Sequence, residues 1–266
     1  MEKQTTFKGT EIIYTVNGKA ENTLVFLHGY LEAKEIWTEF VNILEKEYTV
    51  ITIDMLGHGK SGTISDEHSM KLMAESVKLV LDTENIETCT IFGHSMGGYI
   101  SLEFAKNYGN MLNGLCLFHS QAHADTEEKR KNRDREISLV KIGKYAQIIA
   151  TNIPNMYADG INTKFAEKLE FSKNIAKNIK PEGVIAALNG MKNREKNIDV
   201  LRNYKKPILF IAGKKDNLIP YNPDDEQLSV NPNMEIVVLE NSGHMGMFEE
   251  SEKSINAIEK FIKTCM

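Results

Sequence analysis

The pentapeptide Gly93-His94-Ser95-Met96-Gly97 follows the β-rich run Thr88-Cys89-Thr90-Ile91-Phe92 and opens a run with Leu102, Ala105 and Tyr108 at helical spacing. G-x-S-x-G between a strand and a helix predicts a sharp turn that lifts a serine hydroxyl clear of a sheet edge. The spacing has a steric reason. A serine forced into so tight a turn leaves no room for side chains two residues before and after it. Glycine tolerates that crowding at Gly93 and Gly97, and Gly98 adds clearance. The turn also aims the first N–H groups of the helix, which lack intrahelical acceptors, at whatever Ser95 attacks. Serine is a weak nucleophile at its own pKa, so a base must take its proton as it attacks. His244 is the candidate base, because imidazole titrates near neutrality. Asp216 is the candidate acid that would hold the ring in one tautomer and stabilise the imidazolium that forms.

These residues need elements to bring them together. Apolar runs of strand length recur at Leu24–Leu27, Val50–Ile53, the run before Ser95, Leu115–Phe118, Ile208–Ile211 and Ile236–Leu239. Runs without polar alternation predict strands covered on both faces. Amphipathic stretches separate them, such as Met73, Val77, Val80 and Leu81, and near the end Ile255, Ile258, Phe261 and Ile262. Strand alternating with helix predicts a mostly parallel sheet with right-handed crossovers. Glu11–Val16 followed by Asn17-Gly18 predicts that the chain begins with an antiparallel hairpin. From about Ala122 to Arg202 the alternation stops and helical periods replace it: Ile137, Val140 and Ile148; Ile161, Phe165 and Leu169; Val184, Leu188 and Met191. Pro154 and Pro181-Glu182-Gly183 punctuate them. The expected organisation is a core of residues 1–121 and 200–266 with a helical cap insertion at 122–199. Open parallel sheets bind ligands beyond the carboxyl ends of their strands. His28-Gly29-Tyr30, the segment from Asp54 to Ser61, the Ser95 turn, His119, Asp216 and His244 all fall there, with the serine, the acid and the base in that chain order.

Taken together, His28-Gly29, Gly57-His58-Gly59-x-Ser61, Gly93-His94-Ser95-Met96-Gly97-Gly98, Asp216 before Ile219-Pro220, and Gly243-His244 resemble the α/β-hydrolase fold superfamily. The likeness is to its single-chain, capped, esterase-like serine hydrolases, over roughly residues 10–120 and 200–264. The resemblance implies a mostly parallel α/β sheet with helices on both faces and a Ser95-His244-Asp216 triad. The backbone N–H groups of Tyr30 and Met96 would then form the oxyanion hole, one after the first strand of the parallel sheet and one after the nucleophile. The loop has one glycine before Tyr30 and lacks the HGGG run, a form that in this family is common among enzymes for ordinary acyl esters. Relatives with an aspartate nucleophile place it where this chain has Ser95, which argues against epoxide hydrolase and haloalkane dehalogenase chemistry. A lyase of menaquinone synthesis with this fold carries an arginine just after the elbow glycines, where Tyr99 stands here. Asp125 is the rival for the acid. Asp54, His28, His58 and His94 read as structural, His28 as a brace for the oxyanion loop. His119 and His123 flank the start of the insertion and read as local structure. Met96 and Met245 are placed to line the pocket, and the apolar faces of the insertion suggest an apolar part in the substrate.

Composition narrows the partners. A net charge of -5 with basic residues dispersed among acidic ones argues against nucleic acid or an anionic membrane surface. The mixed run from Glu127 to Glu136 reads as a solvated helix face. Three cysteines without metal-ligand spacing fit a reducing compartment, and no segment approaches the ~20 apolar residues of a membrane span. The expectation is therefore a cytoplasmic enzyme with neither metal nor cofactor. It would act on a small-molecule ester-like substrate, and a homo-oligomer is compatible with the chain. Thioester, lactone or C–C bond cleavage and cofactor-free perhydrolysis are alternatives on the same triad, and a ligand-binding relative without catalysis is the alternative outside it.

Overall fold

The computed structural model describes residues 1–158 and 163–266; Ile161, one of the helical-period positions, lies outside them. Eight strands form one sheet: β1 (Glu2–Phe7), β2 (Thr10–Asn17), β3 (Thr23–Leu27), β4 (Thr49–Ile53), β5 (Cys89–His94), β6 (Leu112–Phe118), β7 (Ile208–Gly213) and β8 (Met234–Leu239). Their order is β1-β2-β4-β3-β5-β6-β7-β8. The pairs β1–β2 and β2–β4 are antiparallel and all later pairs are parallel. Each apolar run in the sequence is a strand here. β3, β4 and β5 are buried along their whole length, as strands covered on both faces must be.

The hairpin expectation holds, but its turn does not. The chain reverses at Lys8-Gly9, both with positive φ (49° and 85°), the conformation that matches the twist of a two-residue hairpin. Asn17-Gly18 instead ends β2. Gly18, at φ 75°, passes so close to the carbonyls of Tyr48 and Glu45 that a side chain would overlap them. The dipeptide marks a change of direction without pairing the strands on either side of it.

The helices are α1 (Thr38–Leu44), α2 (Met70–Thr83), α3 (Met96–Tyr108), α4 (Glu127–Lys141), α5 (Tyr145–Asn155), α6 (Ala166–Asn178), α7 (Pro181–Lys192), α8 (Ile198–Asn203), α9 (Gly246–Glu249) and α10 (Ser251–Ile262). They cover both faces of the sheet, and α4 to α7 are inserted between β6 and β7. Pro154 lies inside α5 near its end, and Pro181 opens α7 at a position where its missing N–H costs nothing. Among the described residues no helix is long and apolar enough to cross a membrane. Beneath the carboxyl ends of the strands, Phe26 stacks on Phe92 with ring centroids 4.7 Å apart, and Trp37 lies 5.0 Å from Phe26. This rigid floor holds the ends of β3 and β5 side by side.

The insertion docks on the core by backbone contact. Gly183, in the first turn of α7, faces Gly57 in the loop after β4, and a Cβ on Gly183 would overlap the Gly57 carbonyl. Gly183→Val should therefore push α7 off this loop and cost about 1–3 kcal/mol, as overpacking does. Urea unfolding should show a lower midpoint with an unchanged slope. A midpoint equal to that of the native chain would contradict the contact.

Candidate active site

Ser95 stands between β5 and α3 with φ 50° and ψ -113°, a backbone region that non-glycine residues rarely occupy. The close packing around it is direct. A Cβ on Gly93 would overlap the carbonyl of Gly97, and one on Gly97 would overlap that of Leu27. The turn is fastened from both sides: the Ser95 N–H donates to the Phe118 carbonyl (3.0 Å), and the Ser120 hydroxyl donates to the Ser95 carbonyl (2.7 Å). α3 begins at Met96, so its first N–H groups have no intrahelical carbonyl to bond.

The loop after β3 comes within touching distance. A Cβ on Gly29 would be 3.1 Å from that of Ser95, so only glycine lets Tyr30 approach this closely. His28 braces the loop as expected. Its Nδ1–H donates to the Gly29 carbonyl (2.8 Å) and its Nε2 accepts from Met55 N–H (2.9 Å), a neutral ring kept so by burial.

His244 follows β8, and its Nδ1 lies 2.7 Å from Oδ2 of Asp216. The other oxygen of Asp216 accepts the N–H groups of Leu218 (2.8 Å) and Ile219 (2.9 Å). Burial would raise this carboxyl, but the His244 ring and the donors around it outweigh burial and hold it well below the usual range. His119 lies behind the pair. Its Nδ1 accepts Gly213 N–H at 3.1 Å, so the 3.4 Å approach of the same nitrogen to Asp216 is not a second hydrogen bond while the ring is neutral. Burial keeps it neutral, with its pKa lowered to about 4. His119, Asp216 and His244 offer ligand atoms within 4.8 Å of one another, but these are engaged within the protein: His119 Nδ1 accepts Gly213 N–H, and Asp216 Oδ2 faces His244 Nδ1.

Two functional groups had no sequence signal strong enough to single them out. Glu32, buried, accepts Gly29 N–H (2.5 Å) and faces His94 Nδ1 (2.8 Å), while His94 Nε2 donates to the His244 carbonyl (2.8 Å). A carbonyl only accepts, so Nε2 carries a proton, and Nδ1 faces a carboxylate. Burial opposes charge on both groups. The mutual attraction outweighs it, raising His94 and lowering Glu32, so this is an imidazolium–carboxylate pair. Glu249 accepts the N–H groups of Gly243 (2.9 Å), Met245 (3.2 Å) and Ala158 (2.8 Å), and the Met156 carbonyl accepts His244 N–H (2.7 Å). Glu32 shares the stretch Gly29–Trp37 with Lys34 and Glu35, so its charge did not stand out in the sequence.

Against this geometry, residues 22–138 match the alpha/beta hydrolase fold family. A thermophilic esterase from Thermogutta terrifontis, solved with malate bound, superposes with a TM-score of 0.93 at 26% identity over 100% of this chain and 99% of that one. The chain belongs to the α/β-hydrolase fold superfamily. An enol-lactonase from Burkholderia xenovorans LB400 shares the fold with a TM-score of 0.90 at 18% identity, covering 98% of this chain and 100% of that one. A Serratia proteamaculans protein provisionally named carbamate hydrolase RutD is 25% identical over 232 residues, 86% of each chain.

In this α/β hydrolase, Ser95 and His244 open onto one cavity of about 290 Å³, walled also by Tyr30, Tyr99, Met156 and Ile219. Met96 and Met245 do not line it. Both are fully buried beneath it, and Met156 and Met191 take their place. Asp125 is no rival to Asp216, because it is ion-paired with Arg133 and Arg194. The roof adds a polar stripe to a lining that includes Leu31, Met156, Met191 and Leu218. Lys129, Asn132, Arg133 and Glu136 of α4, spaced i, i+3, i+4, i+7, all face the cavity. The mixed run that reads as a solvated face thus presents its stripe to the site, while the apolar positions Ile137 and Val140 pack elsewhere in the protein.

Two stability measurements test this geometry. Asp216 and Glu32 both have folded pKa values below their unfolded ones (near ~4). Their contribution is complete above about pH 5 and is lost as pH falls through the unfolded value toward the folded one. Asp216→Asn should flatten the acid side of the stability curve by up to ~1.4 kcal/mol per pH unit between pH 4 and 3, read by urea unfolding. An unchanged slope would mean that Asp216 titrates normally. At Ser95, where glycine bears no steric penalty, Ser95→Gly should be more stable than Ser95→Ala by about 1 kcal/mol. Equal stabilities would remove the strain.

Proposed function

We propose that this hydrolase cleaves a small carboxylic ester through an acyl-enzyme on Ser95. The observation that carries the reading is the opening of two groups onto one cavity: a serine hydroxyl on a strained turn, and an imidazole whose other nitrogen is held by a buried carboxylate. His244 Nε2 takes the Ser95 proton as Oγ attacks the ester carbonyl carbon. Asp216 holds the ring with Nδ1 protonated and balances the imidazolium. The oxyanion is received by the N–H groups of Met96, at the free start of α3, and of Tyr30, brought close by Gly29. Collapse of the intermediate breaks the bond to the alkoxy oxygen, which leaves as the alcohol with the proton from His244. Water, deprotonated by the same nitrogen, then attacks the acyl carbon, and the carboxylic acid leaves Ser95 Oγ, which regains its proton.

Residues 122–199 act in this reading as a lid on the core of 1–121 and 200–266. They roof the cavity and limit water at the acyl carbon. Two solved relatives are named as an esterase and an enol-lactonase, and both names fit acyl–oxygen cleavage.

Ser95→Ala should lower kcat/KM for a p-nitrophenyl short-chain ester by at least ~10³-fold, and Asp216→Asn by ~10⁴-fold. A fluorophosphonate probe should label the native chain and not Ser95→Ala. Full activity of Ser95→Ala would remove the proposal. An unlabelled Ser95 with tight binding of a small molecule would make the protein a receptor. Comparing turnover of ester, thioester, lactone and diketone substrates checks the bond type, and faster cleavage of any other class would displace the ester.

A further inference from the structure

We propose that the roof of the cavity is a carboxylate subsite, and that the ester cleaved is a half-ester of a short dicarboxylic acid. The inference rests on the ester reading of Ser95 and adds the substrate class. Its basis is the charge on the α4 stripe. Three cations, Lys129, Arg133 and Arg194, line the cavity or stand directly behind its wall, with three carboxylates, Asp125, Glu136 and, behind His244, Asp216.

Those carboxylates are engaged. Asp125 is shared by both guanidinium groups, with Arg194 Nη1 2.6 Å from Oδ1. Glu136 accepts from Asn152 Nδ2 (3.1 Å) and from the Tyr30 hydroxyl (3.3 Å). Arg194 lies 3.9 Å above the Tyr99 ring, and its Nη2 is buried without a partner. Lys129 has a single bond, from Nζ to the Leu218 carbonyl (3.3 Å), and among the described residues no carboxylate within ion-pair distance.

Lys129 thus brings an uncompensated positive field to the cavity of Ser95, in a chain of net charge -5. Partial enclosure strengthens it, because charges at a protein surface cleft interact at a lower effective dielectric than in water. A neutral apolar ester would leave the ammonium uncompensated beside it. A substrate carboxylate would pair with it, and Asn132 on the same stripe would add an amide donor. At about 290 Å³ the chamber lies at the small end of ligand sites, ~300–1,000 Å³. That size fits a short acid better than a fatty acyl chain. The reaction is unchanged: ester plus water gives alcohol and a dicarboxylic acid, with the spectator carboxylate held at α4.

The test compares monoethyl succinate with ethyl levulinate, which replaces the carboxylate by a methyl ketone of similar shape, by titration of released acid. In the native chain kcat/KM should be about 10-fold or more higher for the half-ester at low salt, and this ratio should fall as sodium chloride is added. Lys129→Met should bring the ratio toward one and Lys129→Glu should take it below one. A native ratio at or below one, or a ratio indifferent to Lys129→Met, overturns the subsite while fluorophosphonate labelling of Ser95 upholds the ester reading. If neither ester is cleaved and Ser95 is unreactive, the ester reading fails by itself, and succinate binding by calorimetry then decides the subsite. Binding weakened about 10-fold or more in Lys129→Met supports it, and absence of binding to the native chain overturns it.

Discussion

The turn at Ser95 is the constraint from which the rest of the site follows. A serine at φ 50° costs of order 1–3 kcal/mol unless its surroundings leave no alternative. Here they leave none. β5 ends against β3 and β6, α3 starts at once, and hydrogen bonds from the Phe118 and Ser120 side hold the Ser95 peptide groups at both ends. The same crowding that strains the turn sets the β3 loop against it: a Cβ on Gly97 would overlap the Leu27 and His28 carbonyls, and one on Gly29 would be 3.1 Å from the Ser95 Cβ. The proposed oxyanion donors and the proposed nucleophile are thereby fixed by a single packing event, with no loop free to drift between them.

Around that turn, buried carboxylates do the work that loops on a surface leave to water. Asp216 holds the peptide of Leu218 and Ile219, Glu249 holds Gly243, Met245 and Ala158, and Glu32 holds Gly29. Asp216 and Glu249 are met largely by backbone N–H groups, the arrangement in which a buried carboxylate is least expensive, whereas Glu32 has one such bond and a buried Oε1 without a partner. Glu32 is further neutralised by the His94 imidazolium, whose other nitrogen donates to the His244 carbonyl. The loop of Tyr30, the turn of Ser95 and the loop of His244 are therefore tied by one chain of hydrogen bonds. Replacing such buried ions by apolar groups is often neutral for stability; what these contribute is the relative placement of three loops.

The strands were legible in the sequence because burial on both faces leaves a run of apolar residues that nothing else in a protein of this size requires. Leu24–Leu27 and Val50–Ile53 are such runs, and their ends locate Ser95, Asp216 and His244 at one edge. Lys8-Gly9 was missed as the hairpin turn because a lysine at positive φ carries no signal, whereas Asn17-Gly18 carries a strong one and serves another purpose. Glu32 and Glu249 were silent for a different reason. Their partners are main-chain groups contributed by fold geometry, and a main-chain N–H has no letter in the sequence. The α4 stripe misled in a third way. A helix face lining an open cavity carries the same kinds of residue as a face on the outer surface, so Lys129, Arg133 and Glu136 look alike in either place until the roof is seen.

The roof has two parts with different attachments. At the end of α5 the Met156 carbonyl takes His244 N–H, and Glu249 bridges Ala158 to Gly243, so this part and the proposed base form one rigid unit. A motion that lifted residues 156–158 would break bonds that orient His244. Among the described residues the α4 side reaches the core through side chains, from Lys129 to the Leu218 carbonyl and from Tyr30 to Glu136. Residues on that stripe can change charge or size without disturbing a backbone contact to the His244 loop. The part of the roof that holds the base is thus fixed by the chemistry. The part proposed to meet the substrate is held, among the described residues, by side chains alone, so it is where the same floor can be given a different specificity.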